Sequence, residues 1–236
     1  AGVAGRGVPI YVGTPVDRMG EEATGLVLET PYGTVRAKQA FVATNAYTEL
    51  VACGTDLAQR IVPVSTSAIS TVPLASDLLA RIVPQRHVVS DTRHLLNWFR
   101  LGPGNRLVYG GRGSLTGKEA PAVYAGLERK LVETFPMLAG VAIEHRWSGK
   151  VAVTLDDFPH VGRITPRIAF AMGYGGRGVI LTQLLGKLLA QLALDQPVNG
   201  GPMSAGPFAR IPLQSLRVPA MKAVAGYYGL LDRLKV

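Results

Sequence analysis

The sequence predicts an α+β fold shared between two domains, and three observations carry that expectation. Short apolar runs separated by Gly, Pro and Asn turns fill most of residues 8–110, the pattern of antiparallel strands. Helical periodicity enters late, with Val123, Leu127, Leu131 and Phe135 recurring every four residues. Residues 168–194 then read as strand, glycine turn and helix, an α/β element beside the antiparallel part. A chain of 236 residues suits one large domain or two modest ones.

Taken in order, Val8 to Val12 reads as a short strand, turned by Gly13-Thr14-Pro15 and followed by Val16 to Met19. Residues 25–30 alternate Leu26 and Leu28 against Val27 and Glu29. Pro31-Tyr32-Gly33 reverses the chain into a strand at 34–37, so the opening is a meander. Phe41-Val42-Ala43 is a short apolar strand, expected to be buried on both faces. Residues 60–72, rich in Val, Ile, Ser and Thr, suit a longer strand. Residues 95–101 and 106–110 form a hairpin around Gly102-Pro103-Gly104-Asn105. Gly110, Gly111 and Gly113 allow a bend or a close approach. The helix from Pro121 ends before Pro136. Residues 143–154 read as extended and 168–172 as an apolar strand. The helix at 179–194 carries so wide an apolar stripe that it should be well buried. Residues 203–219 look irregular, and 219–234 suits a last helix.

Composition excludes several classes. The chain is 47% hydrophobic and 17% charged, ordinary for a globular protein. Its net charge of +9 comes from Lys and Arg spread through strands and turns, without a compact basic run. That reads as a solvated basic surface, not a nucleic-acid interface. The lone Cys53 excludes an internal disulfide and a Cys-only metal cluster. No apolar run approaches the roughly 18 residues of a membrane span, and no signal-peptide core is visible, so the expected location is cytoplasmic. The four His residues make no metal-ligand spacing, and no metal is expected. Asp156-Asp157 would point oppositely on a strand, which argues against a paired acid and base. There is no G-x-S-x-G elbow.

Gly173-Tyr174-Gly175-Gly176-Arg177-Gly178 matches G-x-G-x-x-G between a predicted strand and helix. A dinucleotide-binding βαβ unit also needs a second strand ending in an acid about 20 residues on. Asp195 has the distance but ends the helix, with no strand before it. Gly117-Lys118-Glu119 lacks the Ser or Thr of a P-loop. The motif therefore reads as a helix N-terminus facing something electron-rich, outside the usual pyrophosphate position.

Four motifs in order carry a resemblance. They are Phe41-Val42-Ala43-Thr44-Asn45-Ala46-Tyr47-Thr48; Asp91 to Arg100 with Gly110-Gly111-Arg112; Trp147-Ser148-Gly149 with Thr154 to Gly162; and Gly173 to Val179. Together they resemble FAD-dependent oxidoreductases of the D-amino-acid oxidase, sarcosine oxidase and glycine oxidase family. The 91–112 motif and the Tyr227-Tyr228-Gly229 tail are most similar to the γ-glutamylputrescine oxidase branch.

The resemblance implies an α/β FAD-binding part truncated at its N-terminus, plus an antiparallel-sheet substrate domain. It divides the chain into residues 1–50, part of the FAD-binding domain; 51–145, the substrate domain; 146–200, the return to the FAD-binding domain; and 201–236, a tail with a helix. It implies non-covalent FAD, with the ADP half bound by a preceding segment, and it leaves Phe41–Ala43 and Ile168–Met172 without sheet partners at an exposed apolar edge. Pro15 and Val16 would lie by the adenine, and Thr44, Asn45 and Ala46 by the phosphates and ribityl chain. Gly149, Asp157, Pro159 and His160 would line the flavin, with Gly173, Gly175, Gly176, Arg177, Gly178 and Val179 at its pyrimidine edge. Arg177 would add positive charge there or hold an acidic group, and Trp98 and Arg100, on one strand face, would border the substrate. That substrate would be a small amine or amino-acid-like molecule, with O₂ or another acceptor taking the electrons. Ile180 stands where several amino-acid-oxidising relatives carry Lys, which disfavours a substrate held by its α-carboxylate. The reading from a different class is a non-catalytic fragment or binding module lacking the ADP-binding half.

Overall fold

The structure, a computed structural model, describes residues 3–50, 55–114 and 120–234. Cys53 and Gly117-Lys118-Glu119, singled out in the sequence, lie outside the described residues. The strands and helices run β1 (Arg18–Glu22), β2 (Gly25–Thr30), β3 (Gly33–Ala37), β4 (Ala40–Val42), β5 (Val62–Thr71), α1 (Ser76–Ile82), β6 (Val89–Ser90), β7 (Trp98–Gly102) and β8 (Arg106–Arg112). They continue with α2 (Pro121–Thr134), β9 (Ile143–Val153), β10 (His160–Thr165), β11 (Ile168–Met172), α3 (Gly178–Ala193), α4 (Pro202–Ala205) and α5 (Arg217–Leu234). Helices and antiparallel sheets are mixed, as the α+β expectation requires.

The chain divides into two compact units. The first comprises residues 1–62 and 152–211, the second 63–151 and 212–236.

In the first unit β1, β2 and β3 form an antiparallel meander in which Met19 and Leu26 turn inward. A second sheet has the order β10-β11-β4, with β11 antiparallel to β10 and parallel to β4. Val42, Ile168, Phe170 and Met172 from this sheet share one core with Met19 and Leu26. All five residues of β11 are buried, so it is a central strand with both edges paired. That corrects the expectation that 168–172 lacks partners. β4 is the edge strand; Val42 is buried while Phe41 is 45% exposed, so burial on both faces does not hold. Residues 8–12 form no strand: Ile10, Tyr11 and Val12 are exposed, and no described strand pairs with them. α3 packs on β10 and β11 through Leu185 and Leu188, with Leu181, Leu189 and Leu192 half-buried. The rest of its apolar stripe is exposed, because one sheet covers only one face of a helix. Asp56 ties residues 207–211 into this unit, bonding Arg60 (2.6 Å) and Arg210 (2.6 Å). Its carboxyl is held below the ordinary value, first by Arg60 and, against the cost of burial, also by Arg210.

In the second unit the sheet order is β6-β7-β8-β5-β9. The β7–β8 hairpin turns at Gly102–Arg106 and pairs Trp98 with Gly110. α2 covers one face: Leu127 and Leu131 join Ile69, Leu107 and Tyr109 in a core, with Phe99 and Leu101 packed against it. Alternation along β7 sends Trp98 and Arg100 to the opposite face. α5 is fastened by Asp232, which accepts hydrogen bonds from the backbone N–H groups of His94 (2.9 Å) and Leu95 (3.1 Å). No helix among the described residues is long and apolar enough to cross a membrane.

Candidate active site

Three turns of the first unit converge at the C-terminal end of β11. The glycine turn follows the strand directly, with φ +86° at Gly173, +54° at Gly175 and +87° at Gly176. These are left-handed conformations that only Gly adopts without steric cost, which is why the motif needs Gly at those positions. Gly173 also needs its missing side chain, since a Cβ there would collide with the Thr154 methyl group. At Gly176 a Cβ would meet nothing within 4 Å, so that position opens onto free space.

The second turn follows β4. Asn45 sits at φ +47° and its Oδ1 accepts the Gly173 N–H at 3.0 Å. Thr44 Oγ1 and Thr48 Oγ1 are 2.7 Å apart, and Thr48 donates to the Asn45 carbonyl, closing the turn on itself. The third turn, 154–158, follows β9. Thr154 Oγ1 donates to the Phe158 carbonyl at 2.8 Å, and Asp157 takes φ +58°. Arg177, the residue before α3, reaches across to this turn and pairs with Asp157 Oδ2 at 2.8 Å and its carbonyl at 3.2 Å. Both side chains are more than half exposed, so the pair contributes little stability and serves mainly to orient.

The backbone donors divide into two sets. The Gly175 N–H bonds the Ala152 carbonyl (2.9 Å) and the Arg177 N–H bonds the Tyr174 carbonyl (2.8 Å), so neither faces outward. The N–H groups of Gly178, Val179 and Ile180 begin α3 and have no intrahelical acceptor, as at any helix start. They lie at the positive end of the helix dipole. The side chains beside them are apolar and open to solvent: Val179 is 91% exposed, Ile180 79%, Leu155 58% and Phe158 49%. The geometry is thus an electropositive donor edge flanked by an apolar surface, next to the open backbone of Gly176. It suits a flat ligand with an electron-rich rim.

The other positions singled out in the sequence lie elsewhere or serve packing. Asp156 and Asp157 occupy a turn, not a strand, and part company there: Asp156 lies 3.2 Å from His160 Nε2 while Asp157 holds Arg177. Partial burial would raise the Asp156 carboxyl, but hydrogen bonds from His160, the Phe158 N–H and Thr154 together hold it below its ordinary value. His160 is buried and stacks on Phe208 at 4.4 Å. Pro159 and Ala46 are buried too, Ala46 within the core. Val16 packs against that core beside the exposed Pro15. In the second unit the Trp98 indole occupies the space a Cβ at Gly110 would need. Arg100 is exposed, and Gly149 is half-buried on β9 next to Ser148, whose hydroxyl meets Ser67 (2.7 Å) and Tyr124 (2.9 Å). Thr154 and the Asn45 link to Gly173 were not foreseen as supports. No local pattern marks a contact made across 128 residues of sequence.

Comparison with known proteins decides the family. The profile described as FAD dependent oxidoreductase matches residues 1–192. The chain belongs to this family. Among curated relatives, gamma-glutamylputrescine oxidoreductase of Escherichia coli (strain K12) is 36% identical over 92% of this chain and 51% of its own length. Glycine oxidase from Geobacillus kaustophilus superposes with a TM-score of 0.70 at 20% identity, covering 86% of this chain and 54% of that one. L-proline dehydrogenase from P. horikoshii gives a TM-score of 0.63 at 20% identity, covering 77% and 50%. These superpositions show the family's fold. The chain spans about half the length of the curated relatives it matches, 51% and 43% for two of them.

Proposed function

We propose that this chain supplies the flavin-ring and substrate-facing parts of an FAD-dependent oxidoreductase that acts on the CH–NH group of an amine or amino-acid-like substrate. The observation that carries the reading is the start of α3: uncommitted N–H groups at Gly178, Val179 and Ile180, open space at Gly176 and exposed Val179 and Ile180. These residues fit a flavin, whose ring is flat and apolar on its faces and rich in acceptors at its pyrimidine rim. When bound, FAD supplies a two-electron acceptor for hydride from the carbon beside a neutral amine, and water hydrolyses the resulting imine.

The protein's part is preorganisation. The α3 N–H groups stabilise negative charge at the rim without moving, because Asn45, Ala152 and Tyr174 already hold the turn. Arg177, oriented by Asp157, adds a permanent positive charge nearby. Val179 and Ile180 would keep water from the ring face. Ile180 offers no cation for an α-carboxylate, which favours an amine whose acidic group, if present, is distant. Trp98 and Arg100 would border that substrate. Pro15, Val16, Thr44, Gly149 and the backbone around Asp157 to His160 would complete the FAD contacts, and binding would be non-covalent.

The test uses the protein expressed from its natural reading frame. Added FAD should lose fluorescence on binding, and primary and secondary amines added without oxygen should bleach the bound flavin absorbance. Admission of O₂ then separates an oxidase from a dehydrogenase. A folded protein that leaves FAD fluorescence unchanged overturns the reading.

A further inference from the structure

The second unit contains a cleft of about 670 Å³ where the 92–95 segment, α2 and the last turn of α5 meet. Arg93, Lys130 and Arg233 line it, each from a different one of these elements. It lies on the α2 side of the sheet, since Lys130 Nζ donates to Asn97 Oδ1 at 3.1 Å and Asn97 alternates with Trp98. The Trp98 and Arg100 face, where the substrate reading belongs, is the opposite one.

The cations here are underused. Among the described residues, Lys130 has only the neutral Asn97 amide as its partner in hydrogen bonding. Arg233 has no hydrogen-bond or ion-pair partner among the described residues. Arg93 meets Asp91 only at 3.6 Å. The carboxylates around the cleft are meanwhile engaged by other donors. Asp232 accepts from the N–H groups of His94 and Leu95 and from His94 Nδ1 (3.1 Å). Asp91 accepts from the Asn97 N–H and side-chain amide, both at 2.9 Å. Glu133 lies 3.8 Å from Arg129. Lys130 is held below the ordinary lysine value by burial first and then by the charges of Arg93 and Arg112, which outweigh the opposing effect of Asp91 and Glu133. A bound anion would offset both the burial and the repulsion from Arg93 and Arg112.

We propose that this cleft is a second ligand site, distinct from the flavin and substrate surface, for a small dianion that carries phosphate or paired carboxylate groups. Two guanidinium forks and one ammonium from three separate elements match such a group: the forks bind its oxygens in pairs and the ammonium acts as a point charge. Binding would join the 92–95 segment, α2 and α5, adding to the Asp232 hydrogen bonds and the His94–Tyr228 stack that fasten this end of the helix. The inference does not depend on the flavin reading.

Titration calorimetry tests it at constant ionic strength, with sodium phosphate in one arm, sodium succinate in a second and sodium chloride in a third. Saturable heat with phosphate, succinate or both, and none with chloride, is the expected result; the arm that saturates names the ligand class. Lys130→Met and Arg233→Gln should each weaken binding by about 10-fold, the loss of one charge-assisted hydrogen bond. Lys130 is half-buried, so the exposed Arg233 keeps the test sound if the first variant folds poorly. Heat that never saturates, heat equal to chloride, or binding unchanged in Arg233→Gln overturns the proposal.

Discussion

Two glycine runs of the molecule serve opposite purposes. In β8, Gly110 and Gly111 make room for side chains. The Trp98 indole fills the place of one missing Cβ, while Asn97 Oδ1 and Leu127 stand 2.9 and 3.3 Å from the other. Both glycines lie in ordinary extended backbone, and the need is purely one of volume. In the 173–178 turn the need is conformational, with φ positive at Gly173, Gly175 and Gly176. Only Gly173 is also crowded; Gly176 faces open space. Identical letters thus encode a packed interior in one unit and an accessible backbone in the other. An accessible backbone with positive φ leaves room for a ligand, whereas a filled one does not.

That contrast can be broken by substitution. Gly173→Ala combines both penalties and should cost the most, about 3–5 kcal/mol from backbone strain and overpacking together. Urea unfolding of this variant and of Gly173→Ala/Thr154→Ser would separate them, because the second change removes the methyl in the way. Gly110→Ala carries the volume penalty alone, about 1–3 kcal/mol, and should lose most of it in a Trp98→Ala background. Strict additivity of those two changes would mean that the indole is not the obstacle.

Gly176→Ala should cost about 1–2 kcal/mol, all of it conformational, with Gly176→Asn costing less because Asn tolerates that region. Its larger effect should be on FAD affinity, read by fluorescence titration. A variant that loses stability but keeps full affinity would deny the open backbone its assigned role. Arg177→Gln removes an exposed pair and should change stability by no more than about 0.5 kcal/mol. Stopped-flow reduction by an amine should nevertheless slow about 2–5-fold, the kinetic equivalent of one nearby charge. The smallest effect expected is at Asp156. Its folded pKa lies below the unfolded value, so its contribution is present above the ordinary carboxylate range and lost as pH falls through the depressed value. Asp156→Asn should therefore lower stability slightly at neutral pH, flatten the acid limb of a stability–pH curve and leave stability unchanged below the depressed value.

Where the sequence was legible, the cause is local. The β7–β8 hairpin follows from the Gly102-Pro103-Gly104-Asn105 turn, and α2 from the spacing of Leu127 and Leu131. α5 begins at Arg217, two residues before the predicted start. Val8 to Val12 misled because a strand needs a partner as well as β-branched residues, and no described strand pairs with it. The α3 stripe misled because hydrophobicity does not say how many neighbours a helix has; Leu185 and Leu188 meet a sheet while Val179 and Ile180 meet solvent. For the site, the glycine turn was readable from its letters and Arg177 was singled out. The bonds that remove the Gly175 and Arg177 N–H groups from use were not, since their acceptors depend on how β9 and the turn close together.

The sequence by itself determined the steric facts. Gly at 173, 175 and 176 permits a left-handed turn, Pro121 and Pro136 bracket a helix, and period-four leucines bury one face, because each depends on atoms only a few bonds or one helical turn apart. Tertiary structure alone decided that Asn45 holds Gly173, that Asp157 orients Arg177, that β11 is central and that Lys130 and Arg233 share a cleft. Those pairings join segments 20 to 128 residues apart, and no local preference specifies them until the sheets have closed.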